Sequence, residues 1–240
     1  MPSYQVSLDT RNAILGASTP FNCALALPIP IREPISSITL KSAALPLCWY
    51  AIRQPFNRFT VNRSGTVIVT TVPEGNYSVA TLLQRLTTNL QASTGLTCTF
   101  QEDSITSRIA LTTSAAVTIV MTPGALDLAE LLGFTNGQGG TSIVGVNAYN
   151  INHDTFISIV LDNVPSSNLS SPPQTFSLPL TAPNGSLYFY MEQLFLRQTI
   201  YINGNLSELS QLRVRVTDRY GTVLNNQGQH WTFLLEIETE

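Results

Sequence analysis

Charged side chains are scarce in this chain, and lysine is almost absent. Twelve Lys and Arg and fifteen Asp and Glu make up 11% of the 240 residues, against about 25% in an ordinary soluble domain. Lys41 is the only lysine, and the arginines form no run. Nucleic-acid backbones and acidic membrane surfaces are bound by clustered basic residues. The sequence therefore predicts neither direct nucleic-acid binding nor a polybasic membrane site.

Cysteine and long apolar segments are also rare. The three cysteines, Cys23, Cys48 and Cys98, are far apart and odd in number, which favours free thiols in a reducing compartment. No segment approaches the roughly 20 apolar residues of a membrane span. The first residues lack the basic and apolar regions of a secretory signal. We therefore expect a protein without a membrane span that is made without secretion.

Residues that could support catalysis or metal binding form no recognisable pattern. The two histidines are His153, which precedes Asp154, and His230, which we expect in the turn before the last strand. No nucleophile elbow surrounds a serine, and no cysteine or histidine spacing matches a zinc site. Calcium-binding and phosphate-binding loops are missing as well. The sequence predicts no enzyme, no catalytic residue, no metal and no cofactor.

What the chain does have is strand pattern. Apolar and polar residues alternate over Gln211–Thr217, whereas Phe156–Leu161 and Leu187–Met191 are apolar on both faces. A core strand is predicted near residue 235 from four alternating apolar residues: Trp231, Phe233, Leu235 and Ile237. Turns rich in Gly and Pro separate these runs. The fold class predicted from these patterns is all-β, as a sandwich or barrel.

One segment has helical spacing instead. Its apolar residues recur three and four positions apart, at Val79, Leu82, Leu83, Leu86 and Leu90. Ser78 is suited to cap the start of the helix and Gly95 to end it. The spacing predicts an inserted amphipathic helix over about residues 78–92. A second, short helix is predicted over about 126–132, ending at Gly133.

The surface has the composition of a contact surface. Ser, Thr and Asn lose little side-chain entropy when another protein covers them. Tyr188, Phe189 and Tyr190 place bulky rings on both faces of one strand, and one of those faces would be an exposed apolar patch in a monomer. We expect these three residues to lie at an interface with another subunit.

Arg213 and Arg215 share one face of a strand. They could bind a carboxylate group on a partner subunit. The alternative that we favour is pairing with Glu236 and Glu238, if the two strands are neighbours.

The N-terminal segment has strand pattern of its own. Tyr4, Val6 and Leu8 alternate with polar residues, and prolines between Pro28 and Pro34 separate this segment from the main run. Residues 1–30 could therefore form an N-terminal arm that adds a strand to a neighbouring subunit. Tyr4, Val6 and Leu8 are the interface candidates of this arm.

Several segments, taken in order and spacing, resemble a known family. They are Ile38–Tyr50 with Asn57-Arg-Phe59, Pro73-Glu-Gly-Asn-Tyr77 before the helix, Leu131-Leu-Gly-Phe134, Val216–Gly221 and Gly228–Ile237. Together they resemble the penton proteins, the vertex and minor capsid proteins of adenovirus-lineage double-stranded DNA viruses. The similarity is greatest to the small pentons of virophages, polinton-like viruses and giant-virus relatives, and it covers most of the chain.

The resemblance implies a structural virion protein. Its fold would be a single jelly roll over residues 1–240, and five copies would form a homopentamer that closes an icosahedral vertex. The implied partners are the double-jelly-roll major capsid protein and other minor capsid proteins. The implied location is the capsid vertex, after synthesis in the host cell cytoplasm. The family has no active site to carry over.

A jelly roll also occurs in lectins, so the fold leaves an alternative open. This alternative is a carbohydrate- or receptor-binding β-sandwich, such as a viral fibre head. Its candidate residues lie together in the sequence: Tyr149, Asn150, Asn152, His153 and Asp154. An enzyme is a third, less favoured interpretation.

Overall fold

Residues 50–153 form a unit of their own within the chain. The computed structural model describes residues 2–14, 19–121, 127–164, 174–182, 185–202, 206 and 208–240. Unit 1 comprises Met1–Trp49 and Asp154–Glu240, and unit 2 comprises Tyr50–His153. Each unit has a separate hydrophobic core. The prediction of one domain over residues 1–240 did not distinguish these two cores.

The described elements are mostly strands, as the sequence predicted. In chain order they are β1 (Ser3–Asp9), a short 3-10 helix (Thr10–Asn12), β2 (Asn22–Ile31), β3 (Ile35–Pro46), β4 (Arg58–Arg63), β5 (Thr66–Thr71), α1 (Val79–Thr94), β6 (Cys98–Asp103), β7 (Arg108–Ile119), α2 (Leu128–Leu131), β8 (Gly139–Val144), β9 (Phe156–Leu161), β10 (Gln174–Pro179), β11 (Leu187–Met191), β12 (Gln198–Tyr201), β13 (Leu209–Thr217) and β14 (Thr232–Thr239).

Unit 1 is a sandwich of two antiparallel sheets. Sheet I has the order β1-β14-β3-β11, with β12 also paired to β3, and sheet II has the order β10-β9-β13-β2. β11 and β12 follow each other along β3, so they act as one interrupted strand. Numbered along the chain, the eight resulting strands have the orders 1-8-3-6 and 5-4-7-2. This is the connectivity of a jelly roll, and unit 2 is inserted between its third and fourth strands.

The predicted core strand near residue 235 is confirmed as β14. It lies between β1 and β3 in sheet I, and Phe233, Leu235 and Ile237 are buried. Trp231 stacks on Phe233 with ring centroids 4.6 Å apart, and its indole N–H donates to the carbonyl oxygen of Pro20 at 2.7 Å. Burial of alternate residues on one face is what the sequence pattern required.

The N-terminal segment differs from the arm that the sequence suggested. β1 pairs with β14 of its own chain, from Ser3 opposite Glu238 to Asp9 opposite Thr232. Val6 and Leu8 are buried in the core of unit 1. The apolar residues of this segment are thus satisfied within the sandwich, so residues 3–9 are a strand of sheet I and not a free arm.

Unit 2 contains a third sheet and the predicted helix. Sheet III has the order β5-β4-β7-β6, with β8 also paired to β7. Helix α1 is confirmed, with Ser78 accepting a hydrogen bond from the Thr81 backbone N–H and Gly95 ending it at a φ of 68°. The four leucines of the predicted stripe are buried against this sheet.

The second helix is shorter than predicted. α2 begins after the N-cap Asp127, and Leu132 is its C-cap; residue 126 lies outside the described residues. Gly133 follows with a φ of 82°, a left-handed conformation that ends a helix and that favours glycine. Gly133 therefore ends the helix as predicted, but α2 is little more than one turn long.

Candidate interaction surface

The polar residues suggested for carbohydrate binding are largely engaged in structural contacts. His153 is 1% exposed. The Asp154 carboxylate accepts a hydrogen bond from the Trp49 indole N–H at 3.0 Å, and the Tyr149 hydroxyl donates to the Glu102 carboxylate at 2.7 Å. These side chains hold local structure, and the exposed polar groups that remain among the candidates are the two asparagines, 150 and 152.

Possible metal ligands do not cluster in the described part of the chain, and its thiols are free. No group of three or more His, Cys, Asp or Glu that could hold a metal ion occurs among the described residues. All three cysteines are free. Burial raises the pKa of each thiol, that of Cys23 to about 11, so the reactive thiolate is rare at neutral pH. Within the same described ranges, no helix is long and apolar enough to cross a membrane.

The favoured pairing of Arg213 and Arg215 is wrong. β13 and β14 belong to different sheets of the sandwich, because the chain crosses from sheet II to sheet I between these two strands. Glu236 and Glu238 therefore lie on the other sheet. Arg215 instead forms a two-bond ion pair with Asp162, with both N–O distances 2.6 Å.

The charges of sheet I form a cluster in which positive and negative groups are paired. The Lys41 ammonium contacts Glu192 and lies 3.3 Å from Glu236. Arg197 lies 3.3 Å from Glu192 and 4.0 Å from Glu238. The hydrogen bond that the Lys41 ammonium donates to the Glu192 carboxylate is the main cause that raises the pKa of Lys41. The lone lysine is thus part of a mutually neutralising group.

Next to this cluster, five large apolar side chains are exposed along one edge of sheet I. We call them the apolar strip: Leu187 (51% exposed), Phe189 (55%), Met191 (46%), Leu194 (74%) and Leu196 (85%). The first three alternate with Tyr188 and Tyr190, which are buried in the core. A chain with so few charges that also exposes such a strip has a surface suited to contact with another protein.

The six interface candidates from the sequence are therefore divided by the fold. Four of them, Val6, Leu8, Tyr188 and Tyr190, are buried in the core of their own chain, and Tyr4 is half-buried. Phe189 is the candidate that lies on the exposed strip. An interface role for these residues stays a prediction.

The sequence reasoning missed Leu194 and Leu196. They lie in the turn between β11 and β12, where the periodicity of a strand no longer indicates which side chain is buried. The absence of a charge among residues 193–196 was the available signal.

β11 is an edge strand, and its hydrogen bonds to β3 define which residues face outward. The Glu192 N–H donates to the Lys41 carbonyl at 2.9 Å, and the Leu47 N–H donates to the Ser186 carbonyl at 2.8 Å. Bonded residues alternate along an antiparallel pair. The backbone groups of even-numbered residues in β11 therefore point to β3, and those of odd-numbered residues point away from the sheet.

Two of the outward-facing residues have open backbone groups. The carbonyl of Met191 accepts hydrogen bonds from the N–H groups of Leu194 and Phe195, at 3.0 and 3.2 Å. For Leu187 and Phe189, no backbone hydrogen bond away from the sheet is found within the described ranges. This short stretch of edge can still donate and accept hydrogen bonds.

A shallow groove and a pocket lie beside β11. The groove, of about 210 Å³, runs over the outer face of sheet I between the side chains of Phe189 and Met191 and that of Leu234, over small residues that include Ser42 and Ala44. The pocket, of about 430 Å³, is lined by Pro179, Tyr190, Leu194, Phe195, Leu196 and Gln198.

The pocket is built by the turn that follows β11. The Phe195 ring stacks on Tyr190 at 5.6 Å, and the Tyr190 hydroxyl donates to the Leu196 carbonyl at 2.9 Å. Because Tyr190 faces the core and Pro179 ends β10 of sheet II, the pocket lies between the edges of the two sheets.

The other edge strands of unit 1 are less open to pairing. β2 contains Pro28 and Pro30, and β10 ends at Pro179; proline has no N–H to donate and discourages strand pairing at an edge. β1 exposes the small or polar side chains of Ser3, Gln5 and Ser7. β11 contains neither a proline nor a charged residue, so of these edges it is the most open to pairing with another strand.

Comparison with known proteins gave one finding of note. No family model matches the chain, and no curated protein matches it. The solved structures that are similar to it include the crystal structure of the mavirus penton protein. That similarity has a TM-score of 0.40 and 10% sequence identity, and it covers 99% of this chain and 100% of that chain.

Proposed function

We propose that this protein is a structural subunit of an icosahedral virus capsid, placed at the vertex as a homopentamer and without a substrate. Its partners would be the double-jelly-roll major capsid protein and other minor capsid proteins. The observation that carries the proposal is the apolar strip on an open edge of the jelly roll. Phe189 is the residue that we place at a contact with another protein of the capsid.

The strip supports an assembly role because of its energetics. A large apolar side chain gains about 1.5–3 kcal/mol when it passes from full exposure to full burial. Leu194 and Leu196 are 74% and 85% exposed. Their burial in a contact with another protein would therefore provide most of this free energy. The charged side chains beside the strip are already paired with one another, and the short polar side chains that are common in this chain lose little entropy on contact.

The jelly-roll topology and the sequence resemblance support the same proposal. Strand orders 1-8-3-6 and 5-4-7-2 belong to a fold used by viral capsid subunits. The segments that resemble pentons lie in both units: Ile38–Tyr50 lies in and after β3, and Leu131-Leu-Gly-Phe134 begins at the last residue of α2. A ring built from one repeated contact requires a different patch on each side of the subunit.

Mass photometry of the full-length chain tests the pentamer. The expected mass is five times the 26.2 kDa of one chain, and class averages of negatively stained particles should show five-fold symmetry. A chain that stays monomeric in native mass spectrometry at high micromolar concentration would contradict the proposal. A ring of another order would preserve the structural role but remove the vertex assignment.

A further inference from the structure

We propose that β11 accepts an extended segment of a different protein chain, which pairs with it as an additional strand of sheet I. The segment would be uncharged and would carry large apolar side chains at alternate positions. This inference goes beyond the capsid role, since it specifies the chemistry of the partner segment and the way it binds.

The backbone of β11 has hydrogen-bonding groups that face away from the sheet. Leu187 and Phe189 direct their N–H and C=O groups away from β3. An added strand would satisfy these four groups. Main-chain hydrogen bonds of this kind provide affinity when a peptide extends a sheet.

Side chains on both faces of the added strand would also find apolar contacts. In a strand, successive side chains point to opposite faces of the sheet. A strand added to β11 would therefore place one set of side chains on the outer face, beside the exposed side chains of Leu187, Phe189 and Met191. The other set would point toward the pocket of about 430 Å³ between the sheet edges. A pocket that receives alternate side chains gives such an edge its specificity.

The charge of the partner segment follows from the surroundings. Residues 185–191 contain no charged side chain. The nearest charges, Glu192 and Lys41, already pair with each other. A charged residue on the incoming segment would be desolvated without an opposite charge to receive it, which is costly. An uncharged segment avoids this cost.

The pocket also favours a segment over a second folded copy of this chain. It lies between the edge of sheet I at Tyr190 and the edge of sheet II at Pro179. In a folded copy, the second sheet and the Leu194–Leu196 turn lie directly behind the edge strand. These parts are too large to enter the pocket. Its other edges bear proline or the small polar residues of β1. A segment with nothing behind it can enter the pocket.

A peptide library tests the proposal. Phage displaying random nonapeptides would be panned on the full-length protein, and the enriched sequences are expected to have alternating large apolar residues without charge or internal proline. A synthetic peptide of the enriched sequence would then be titrated by fluorescence anisotropy. Phe189→Lys should weaken its binding by about tenfold or more.

Two further variants make the test specific. Ile29→Lys adds the same charge at a side chain that is 69% exposed on the proline-bearing β2 edge, so it should leave peptide binding unchanged. Leu187→Pro removes an outward N–H without removing a bond to β3, and it should weaken binding while circular dichroism stays that of the parent.

Three results would overturn the proposal. They are failure to enrich alternating apolar sequences, equal binding to the parent and to Phe189→Lys, and self-association that Phe189→Lys abolishes although no peptide binds. The last result would assign the edge to a second copy. A pentamer that binds no peptide refutes this inference alone, whereas a monomer that binds the peptide refutes the pentamer alone.

Discussion

Replacing Asp127 by Asn should stabilise the protein at neutral pH but not in acid. Asp127 is 7% exposed and is the N-cap of α2, where its carboxylate accepts a hydrogen bond from the Ala129 N–H at 3.0 Å. Burial raises its pKa from 3.8 to about 6, helped by the negative charge of Glu130 and opposed by that backbone hydrogen bond and by Arg58. Asparagine is an equally good N-cap and carries no charge to desolvate.

The sign and size of the effect follow from the two pKa values. Below about pH 4 the carboxyl is protonated in both the folded and unfolded chain, so it costs nothing. As the pH rises toward 6, the unfolded chain ionises first and the folded state loses stability relative to it. A shift from 3.8 to about 6 corresponds to at most about 3 kcal/mol, which is fully lost above the folded pKa.

Urea unfolding at a series of pH values measures this difference. The helical circular dichroism signal reports on unit 2, because α1 is its longest helix in the described chain. The variant should gain stability over the parent between about pH 4 and pH 7, by at most about 3 kcal/mol. Asp103→Asn is the control of opposite sign, since hydrogen bonds from Thr106 and Ile105 lower the pKa of Asp103. Parallel stability curves for Asp127→Asn and the parent would refute the reasoning.

Two other substitutions test the two cores. In urea unfolding, Phe233→Ala should lower the free energy of unfolding by about 3–5 kcal/mol, because the ring is 2% exposed. Phe189→Ala, on the exposed strip, should change it by less than about 0.5 kcal/mol. A loss below about 1 kcal/mol for Phe233→Ala would place this ring outside the core. Gly133→Ala should cost more than Gly137→Ala in the same assay: both glycines have a φ near 82°, but a Cβ at 133 would lie 2.1 Å from the Asn147 carbonyl oxygen while that at 137 meets open space. Equal costs would show that this close approach relaxes freely.

Local features of the fold could be predicted from the sequence, because their causes are local. α1 was identified from apolar residues spaced by three and four between Ser78 and Gly95, and the structure begins and ends it with those two caps. β14 was identified from four alternating apolar residues. In both cases the period of the element matches the period of the buried side chains.

Long-range pairing could not be predicted in this way. Arg213 and Arg215 were matched with Glu236 and Glu238 because charge and spacing agree, but no local signal records that β13 and β14 enter different sheets. The same limit applies to residues 3–9, whose alternation fits either a free arm or a strand beside β14. Sequence pattern gives the buried face of a strand and leaves its neighbour open.

The candidate surface was predicted only in part for a related reason. The run Tyr188–Tyr190 indicated that one bulky face would lie outside the core, and Phe189 is that face. Which residues continue the surface depends on how the turn after Met191 folds back over the sheet edge. That turn is set by its hydrogen bonds to the Met191 carbonyl, which have no signature in composition or periodicity.

The position of β14 has a consequence for the order in which the chain folds during synthesis. Unit 2 needs only residues 50–153, whereas sheet I lacks its inner strand, between β1 and β3, until residue 239 has been made. At about 5–20 residues per second, roughly 4–17 seconds separate these two points. During that interval β1 and β3 present unpaired edges on the ribosome, and the insertion can already be folded. Sheet I of the jelly roll is thus completed last, by the strand that pairs with both β1 and β3.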